Sequence, residues 1–220
     1  MPYRFVKGVN SQLRLYYKYI KLDQTTDAKW TLTEEIAIKE PLKSDVKHKL
    51  IVHRINDLLR LTINKLPAVE KAVSERVPLI PVGAQVYLGG TEDASKSTLG
   101  EVDRNFQGKV ASAQVSLHGR RDDQVDLMGI LQDPNWTGRV HPSRGVQYEY
   151  HVNKRPPQVL SPTSSSRSYA GITLSRTPIP VTYMGTQNSV VRFDTWDFSV
   201  YRSFEIDFRT FEPNGVLFFV

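Results

Sequence analysis

The stretch FEIDFRTFEPNGVLFFV, residues 204–220, decides the fold class of this chain. From Phe204 to Arg209 the side chains alternate between apolar and polar without a break, which is the pattern of a strand with one buried face. Pro213-Asn214-Gly215 follows as a turn signal, because Pro presets φ and Asn-Gly tolerates positive φ. The apolar run 216–220 then predicts a second strand, so the stretch predicts two strands joined by a turn.

The rest of the chain repeats this pattern of short strands between turns. Further strands are predicted over residues 12–19, 49–54, 59–63, 85–88 and 111–117. The polar turn Asn56-Asp57 predicts a hairpin between the second and third of them. Residues 67–76 favour a helix, with a loop between strands as the alternative, since Pro67 precedes apolar residues at helical spacing. The pattern as a whole predicts an all-β protein, an antiparallel β-sandwich of the jelly-roll type.

Composition excludes several classes of protein. The chain has 220 residues, enough to bury a core without disulfides, and it contains no Cys. Disulfide frameworks, thiolate metal sites and cysteine nucleophiles are therefore excluded. No segment approaches 18 uninterrupted apolar residues, and residues 1–19 mix basic with apolar side chains. We therefore expect neither a membrane-spanning helix nor a signal-peptide core in this chain.

Candidate catalytic and metal-binding groups are sparse. His48 and His53 are five positions apart near one predicted strand, so they project to opposite faces and form no metal pair. The acidic cluster Asp122, Asp123 and Asp126 lacks the ligand spacing of a calcium loop. Signatures of hydrolases, nucleotide-binding loops and RNA-binding domains are absent from the sequence. We therefore predict no catalytic residue, no metal ligand and no binding to nucleic acid.

Five motifs together resemble the laminin G-like family, whose modules are also called LNS domains. FRTFEPNGVLFF (208–219) resembles the family's strand–turn–strand pattern, and VYLGG (86–90) its Y-V/L-G-G strand end. The remaining motifs are FQG (106–108), NSQLRL (10–15) and DVKHKLIVHR (45–54). With these motifs, the chain is most similar to a segment that runs from the first to the second LNS domain of a neurexin. Laminin α chains and agrin carry similar modules. Lys47 stands where the family usually has Trp, and Lys109 and a position near His151 stand where it has its paired Cys.

The resemblance implies a concanavalin-like sandwich and an offset domain organisation. Residues 1–154 match a laminin G-like body that lacks its opening strands. Residues 155–187 are expected to form a Ser/Pro-rich linker. Residues 188–220 match the opening strands of such a module, which can complete the body in a permuted arrangement. Exchange between two copies, or disorder of a truncated second module, are the alternatives.

The resemblance also implies a non-enzymatic extracellular binding module that recognises protein or glycan partners. Extracellular or synaptic adhesion proteins and heparan sulfate-like polyanions are the expected partners, with no insertion into a membrane by this chain. No cofactor is expected; the family often binds Ca²⁺, but its carboxylate ligand falls beyond residue 220, so no calcium residue is assigned. A truncated structural remnant without binding and a glycan-active jelly-roll protein are the alternatives.

Two sets of surface residues are candidates for interaction. The formal net charge is +6, which favours acidic partners. The predicted polyanion-binding residues are Lys7, Arg14, Lys18, Arg54, Arg60, Arg120 and Arg121. Asn135-Trp136-Thr137 is an N-x-T sequon, so Asn135 is a candidate for N-glycosylation.

Overall fold

Two antiparallel sheets pack face to face in the computed structural model of this chain. It describes residues 4–9, 12–22, 29–73, 85–98, 100–116, 124–133, 135, 140–148, 179–194 and 203–220. The strands in the first half are β1 (Arg4–Val9), β2 (Gln12–Leu22), β3 (Lys29–Ala37), β4 (Lys47–Ile55), β5 (Leu58–Ile63), β6 (Val69–Ala72) and β7 (Val86–Leu88). Those in the second half are β8 (Gln107–Ser116), β9 (Gln124–Asp126), β10 (Val140–Pro142), β11 (Val146–Tyr148), β12 (Val181–Met184), β13 (Val191–Phe193), β14 (Ser203–Thr210) and β15 (Gly215–Phe219).

The order of strands in each sheet differs from their order in the chain. One sheet has seven strands in the order β10-β13-β7-β15-β1-β2-β3. The other has eight, in the order β11-β12-β8-β14-β4-β5-β6, and β9 adds to β8 beside this path. The predicted antiparallel β-sandwich is confirmed.

The last two strands occupy inner positions in both sheets. β14 pairs with β4 on one side and with β8 on the other, over nearly its whole length. After the turn, β15 crosses to the other sheet and pairs with β1 and β7. Both strands expected from residues 204–220 are therefore observed, each paired on both edges, but they lie in different sheets and do not pair with each other.

Aromatic contacts fill the space between the sheets. The rings of Phe204 and Phe218, one from each sheet, stack with centroids 4.0 Å apart. Phe106 makes edge contacts with Tyr183 at 6.1 Å and with Phe208 at 5.9 Å. Burial of such side chains supplies most of the driving force for folding, about 1.5–3 kcal/mol each.

Two local predictions have clear outcomes. The hairpin around Asn56-Asp57 is confirmed, since β4 and β5 pair from Ile55↔Leu58 to Leu50↔Ile63. The helix predicted over 67–76 is wrong, because Val69–Ala72 is strand β6, paired with β5. Without β6 the edge of β5 would expose unpaired backbone groups, and pairing with this edge overrides the weak helical preference.

The linker predicted over 155–187 is wrong at its end. Residues 181–184 form β12, which pairs with β8 and β11. Val181 and Tyr183 are fully buried in the core, so burial of these two side chains explains why this segment joins the sheet. Residues 155–178 lie outside the described part of the chain.

Two short helices were not anticipated from the sequence. α1 (Ala94–Ser97) and α2 (Leu127–Leu131) each begin after an aspartate, and the side chains of Asp93 and Asp126 accept hydrogen bonds from backbone N–H groups of the first turn. α2 buries four apolar side chains and packs against β8 and β10, one strand from each sheet. Short capped turns of this length leave little periodicity for sequence analysis to detect.

The stack of Phe204 on Phe218 generates a stability prediction. Phe204→Ala should lower the free energy of unfolding by about 3–5 kcal/mol, because Phe204 is 1 % exposed and its removal leaves a cavity between the sheets. Val46→Ala, at a site 45 % exposed, should change it by less than about 0.5 kcal/mol. Urea denaturation followed by circular dichroism measures both. Equal stability of the two variants would show that Phe204 is not part of the core; Phe204→Leu provides a milder variant if the alanine variant does not fold.

Candidate functional site

The outer side of the eight-stranded sheet carries an ordered grid of polar side chains, here called the polar face. It consists of the outward-pointing residues of β9, β8, β14, β4 and β5, while the inward-pointing residues of these strands enter the core. Directly paired residues of antiparallel strands point to the same side of a sheet. The strand register therefore arranges the polar face in rows.

One end of the polar face carries a row of three cations. Arg209 is paired with Lys109 of β8 and with Lys47 of β4. Three like charges side by side repel one another, and a nearby carboxylate relieves part of this repulsion: Arg209 Nη1 lies 3.3 Å from Asp45 Oδ1.

Diagonal ion pairs connect β4 with β14 along the polar face. Lys47 Nζ lies 2.9 Å from Asp207 Oδ2, and Lys49 Nζ lies 2.5 Å from Glu205 Oε1. The side chains of Lys47 and Lys49 are 64 % and 48 % exposed. Exposed ion pairs of this kind contribute only about 0–1 kcal/mol to the free energy of unfolding. Their main effect is orientation: each lysine fixes one carboxylate on the surface and leaves a face of mixed charge.

A concavity of about 260 Å³ lies at the other end of the polar face. Strands β9, β8, β14 and β4 contribute to it, and their registers place Gln124 beside Ser116, Ser116 beside Ser203, and Ser203 beside His53. The residues that line it are Ile51, His53, Gln114, Val115, Ser116, Gln124, Ser203 and Glu205. Hydroxyl, amide, imidazole and carboxylate groups thus converge on one small space.

The environment of His53 favours its neutral form. Burial of the imidazole, and after it the positive charge of Arg60, lowers the pKa of His53 below its ordinary value of 6.5. Arg60 is the cross-strand partner of His53, and its Nη2 lies 2.5 Å from Glu70 Oε1. At neutral pH the concavity therefore holds a neutral imidazole that can both donate and accept a hydrogen bond.

A second polar cluster lies on the seven-stranded sheet. Asp194 lies 2.8 Å from His141 Nε2 and 3.0 Å from Arg192 Nε, and Arg192 Nη1 lies 3.1 Å from Glu92 Oε1. Gln85 Nε2 also donates to Asp194 Oδ1 at 3.2 Å. The charges in this cluster satisfy one another, so it offers less to a ligand than the concavity does.

The predicted polyanion-binding residues do not form one patch among the described residues. Arg54 was a wrong choice: it is 6 % exposed, and its Nε donates to Asn56 O at 2.8 Å, because residues 48, 50, 52 and 54 of β4 point inward. Arg14 lies on the seven-stranded sheet, paired with Glu35, whereas Arg60 lies on the polar face.

The remaining predicted sites lie partly outside the described residues. Lys7 and Lys18 are on β1 and β2 at positions where only the backbone is described, and Arg120 and Arg121 lie outside the described part of the chain. Asn135 is exposed, and its Nδ2 donates to Asp133 Oδ1 at 2.8 Å.

Metal binding finds no support in the described ranges. Within them, no group of three or more His, Cys, Asp or Glu side chains is placed to hold a metal ion. They offer no carboxylate cluster for the Ca²⁺ that the family resemblance suggests, and no calcium role is assigned.

The prediction that His48 and His53 point to opposite faces is confirmed: His48 is buried, with Nε2 2.9 Å from Lys43 O, and His53 lines the concavity.

Sequence reasoning missed the residues that build the concavity. Gln114, Gln124, Ser203 and Glu205 are ordinary polar positions of alternating strands, and their convergence depends on registers between strands far apart in the chain. The one available signal was the polar half of each alternation, which marks an outward position without showing what lies beside it.

Among the described residues, no helix is long and apolar enough to cross a membrane.

The position of Arg60 beside His53 generates a pH prediction. His53 should titrate below pH 6.5 in the folded protein, and Arg60→Gln should move its midpoint upward by part of the shift, since burial remains. Below pH 6.5 the unfolded chain then binds more protons than the folded chain does. The contribution of His53 to the free energy of unfolding is therefore present at neutral pH and lost on acidification. NMR titration of the imidazole measures the midpoint, with Lys65→Gln, in an exposed turn, as the control. A midpoint at or above 6.5 would contradict the described environment of His53.

Comparison with known proteins gives one match. The family model described as Laminin G domain matches residues 9–118, half of the chain, which contain β2 to β8. No curated protein and no solved structure matches the chain. Laminin G domains are typically non-enzymatic, usually extracellular modules that bind protein or polyanion partners. The chain belongs to the laminin G domain family.

Proposed function

We propose that this chain is a non-catalytic extracellular binding module of the adhesion or receptor type, which recognises protein or glycan partners through the polar face. The observation that carries the proposal is the contrast between the two sides of the eight-stranded sheet. Its inner side is core, whereas its outer side presents ion-paired charges and a polar concavity. Rows of oriented polar groups on a rigid sheet are suited to recognition.

The arrangement of carboxylates supports binding rather than catalysis. Hydrolysis of a glycosidic bond generally requires two carboxyl groups flanking the same bond. Glu205 and Asp207 lie on the same side of β14, but of the two only Glu205 lines the concavity, and each is ion-paired with a lysine. This distribution disfavours the alternative of a glycan-active jelly-roll enzyme.

The finer identity of the module is part of the proposal. The motifs at 86–90 and 208–219 support a neurexin-like module whose partners are extracellular or synaptic adhesion proteins. We propose that residues 1–154 and 188–220 act as one binding unit together with β12, so that the connection between them is the Ser/Pro-rich part that precedes β12. The pairing of β14 and β15 on both edges supports such a unit over a truncated remnant.

Polyanion binding is a second candidate, favoured by the net charge of +6. We place the contact on the cation row of Lys109, Arg209 and Lys47, because these three lie side by side on one face. The carboxylates next to this row keep the attraction weak. Binding to heparan sulfate-like chains would therefore fall steeply with salt.

Binding of the purified chain to cultured cells distinguishes the two classes of partner. We expect binding to be lost after protease treatment for a protein partner, or after heparinase treatment for a polyanion. Arg209→Glu reverses the centre of the cation row and should weaken binding by a measurable factor. Lys65→Glu makes the same charge change in an exposed turn and should bind like the wild type. Absence of binding to untreated cells would contradict the proposed function.

An extracellular location also predicts a modification. When the chain is secreted from a glycosylating host behind a signal sequence, Asn135 should carry an N-linked glycan, because Asn135 is exposed and lies in an N-x-T sequon. Treatment with an amidase that removes N-glycans should then increase electrophoretic mobility, and Asn135→Gln should abolish this shift. A secreted wild-type chain whose mobility does not change would refute glycosylation at this site.

A further inference from the structure

We infer that the concavity of the polar face binds one unit of a neutral saccharide. The inference rests on the proposed function, a binding module, and names the class of ligand that this site would take. Its volume of about 260 Å³ is below the roughly 300–1,000 Å³ of sites for drug-sized ligands, so a single ring with its substituents is a suitable occupant.

Recognition in the concavity must come from side chains. β8 is paired with β9 and β14 at this level, and β14 is paired with β4, so the backbone groups of these strands are used within the sheet. An extended peptide binds sheets mainly by adding a strand to an open edge, whereas β8, β14 and β4 are paired on both sides here and only the three-residue β9 has a single described partner. A ligand that is read through its own hydroxyl groups fits this constraint better.

Three of the polar side chains that line the concavity are candidates for contact with such a ligand. No hydrogen bond within the described part of the chain occupies the side chains of Gln114, Gln124 or Ser203. Each amide offers donors and an acceptor, and a serine hydroxyl offers both. Sugar hydroxyls also donate and accept, so groups with both capacities are well matched to them.

Glu205 supplies an acceptor that is already oriented. Its Oε1 is held by Lys49 Nζ at 2.5 Å, and the side chain is 26 % exposed within the lining. A carboxylate fixed in this way accepts charge-assisted hydrogen bonds from a hydroxyl donor without having to be ordered first. Lys49 neutralises its charge, which removes the attraction for a cationic ligand.

The charge of the lining excludes anions in the same way. No residue of the lining offers a positive charge to a sulfate or carboxylate, because burial together with Arg60 keeps the imidazole of His53 neutral. Ile51 adds an apolar surface on which the C–H side of a sugar ring can lie. A ring that is uncharged, rich in hydroxyls and apolar on one side satisfies each of these groups.

Saturation-transfer NMR with the intact chain tests the inference directly. The probes are methyl glycosides of glucose, galactose, mannose and N-acetylglucosamine, with a sulfated heparin disaccharide as the charged probe. We expect at least one neutral glycoside to bind with a Kd on the order of 1 mM. Gln114→Ala removes a hydrogen-bonding amide and Glu205→Gln replaces the charged acceptor with a neutral amide, and each should weaken this binding about three- to tenfold. Gln147→Ala, the same residue type on the exposed side of β11, should leave it unchanged.

The outcomes separate this inference from the proposed function. Binding of a neutral glycoside should be insensitive to salt between about 0.05 and 0.5 M, because no net charge is paired. If no neutral glycoside binds, or if Gln114→Ala and Glu205→Gln bind as well as Gln147→Ala, the inference is wrong. Binding of the sulfated disaccharide alone, or binding to cells without any glycoside binding, would overturn the inference and leave the proposed function standing.

Discussion

The insertion of the C-terminal strand pair between strands of the N-terminal body is the constraint on which both sheets depend. Without β15, the seven-stranded sheet would separate into β10-β13-β7 and β1-β2-β3. Without β14, the eight-stranded sheet would separate between β8 and β4. The stack of Phe204 on Phe218 joins the two inserted strands across the core at 4.0 Å. One turn, Pro213-Asn214-Gly215, thus connects the central strands of two layers.

The same insertion couples the fold to the polar face. β14 places Ser203, Glu205 and Arg209 on the outer side of the sheet while its alternate residues enter the core. The concavity and the cation row therefore exist only when this strand lies between β8 and β4. At the end of the sandwich, Asn105 secures the neighbouring loops: it is 1 % exposed and donates to Thr91 O at 2.9 Å and Thr186 O at 3.1 Å.

Alternation along single strands predicted the local structure, but not the site. The faces of residues 204–209 and the β4–β5 hairpin follow from near neighbours in the chain, and both could be predicted. The error at Arg54 has a different origin: a basic residue was expected on the surface, whereas its guanidinium turns inward and caps the hairpin at Asn56 O. β6 and β12 were missed because short strands of four residues are stabilised by the edge they cover and the core they fill. The concavity depends on the register between strands about ninety residues apart.

Native-state hydrogen exchange tests the insertion most directly. If β14 and β15 are central strands of one cooperative unit, the amides of Ile206 and Leu217 should exchange as slowly as those of Leu50 and Val52 in β4. This protection should not depend on protein concentration, because the strands dock within their own chain. Fast exchange at Ile206 and Leu217 while Leu50 and Val52 remain protected would contradict the account, and so would protection that appears only at high concentration.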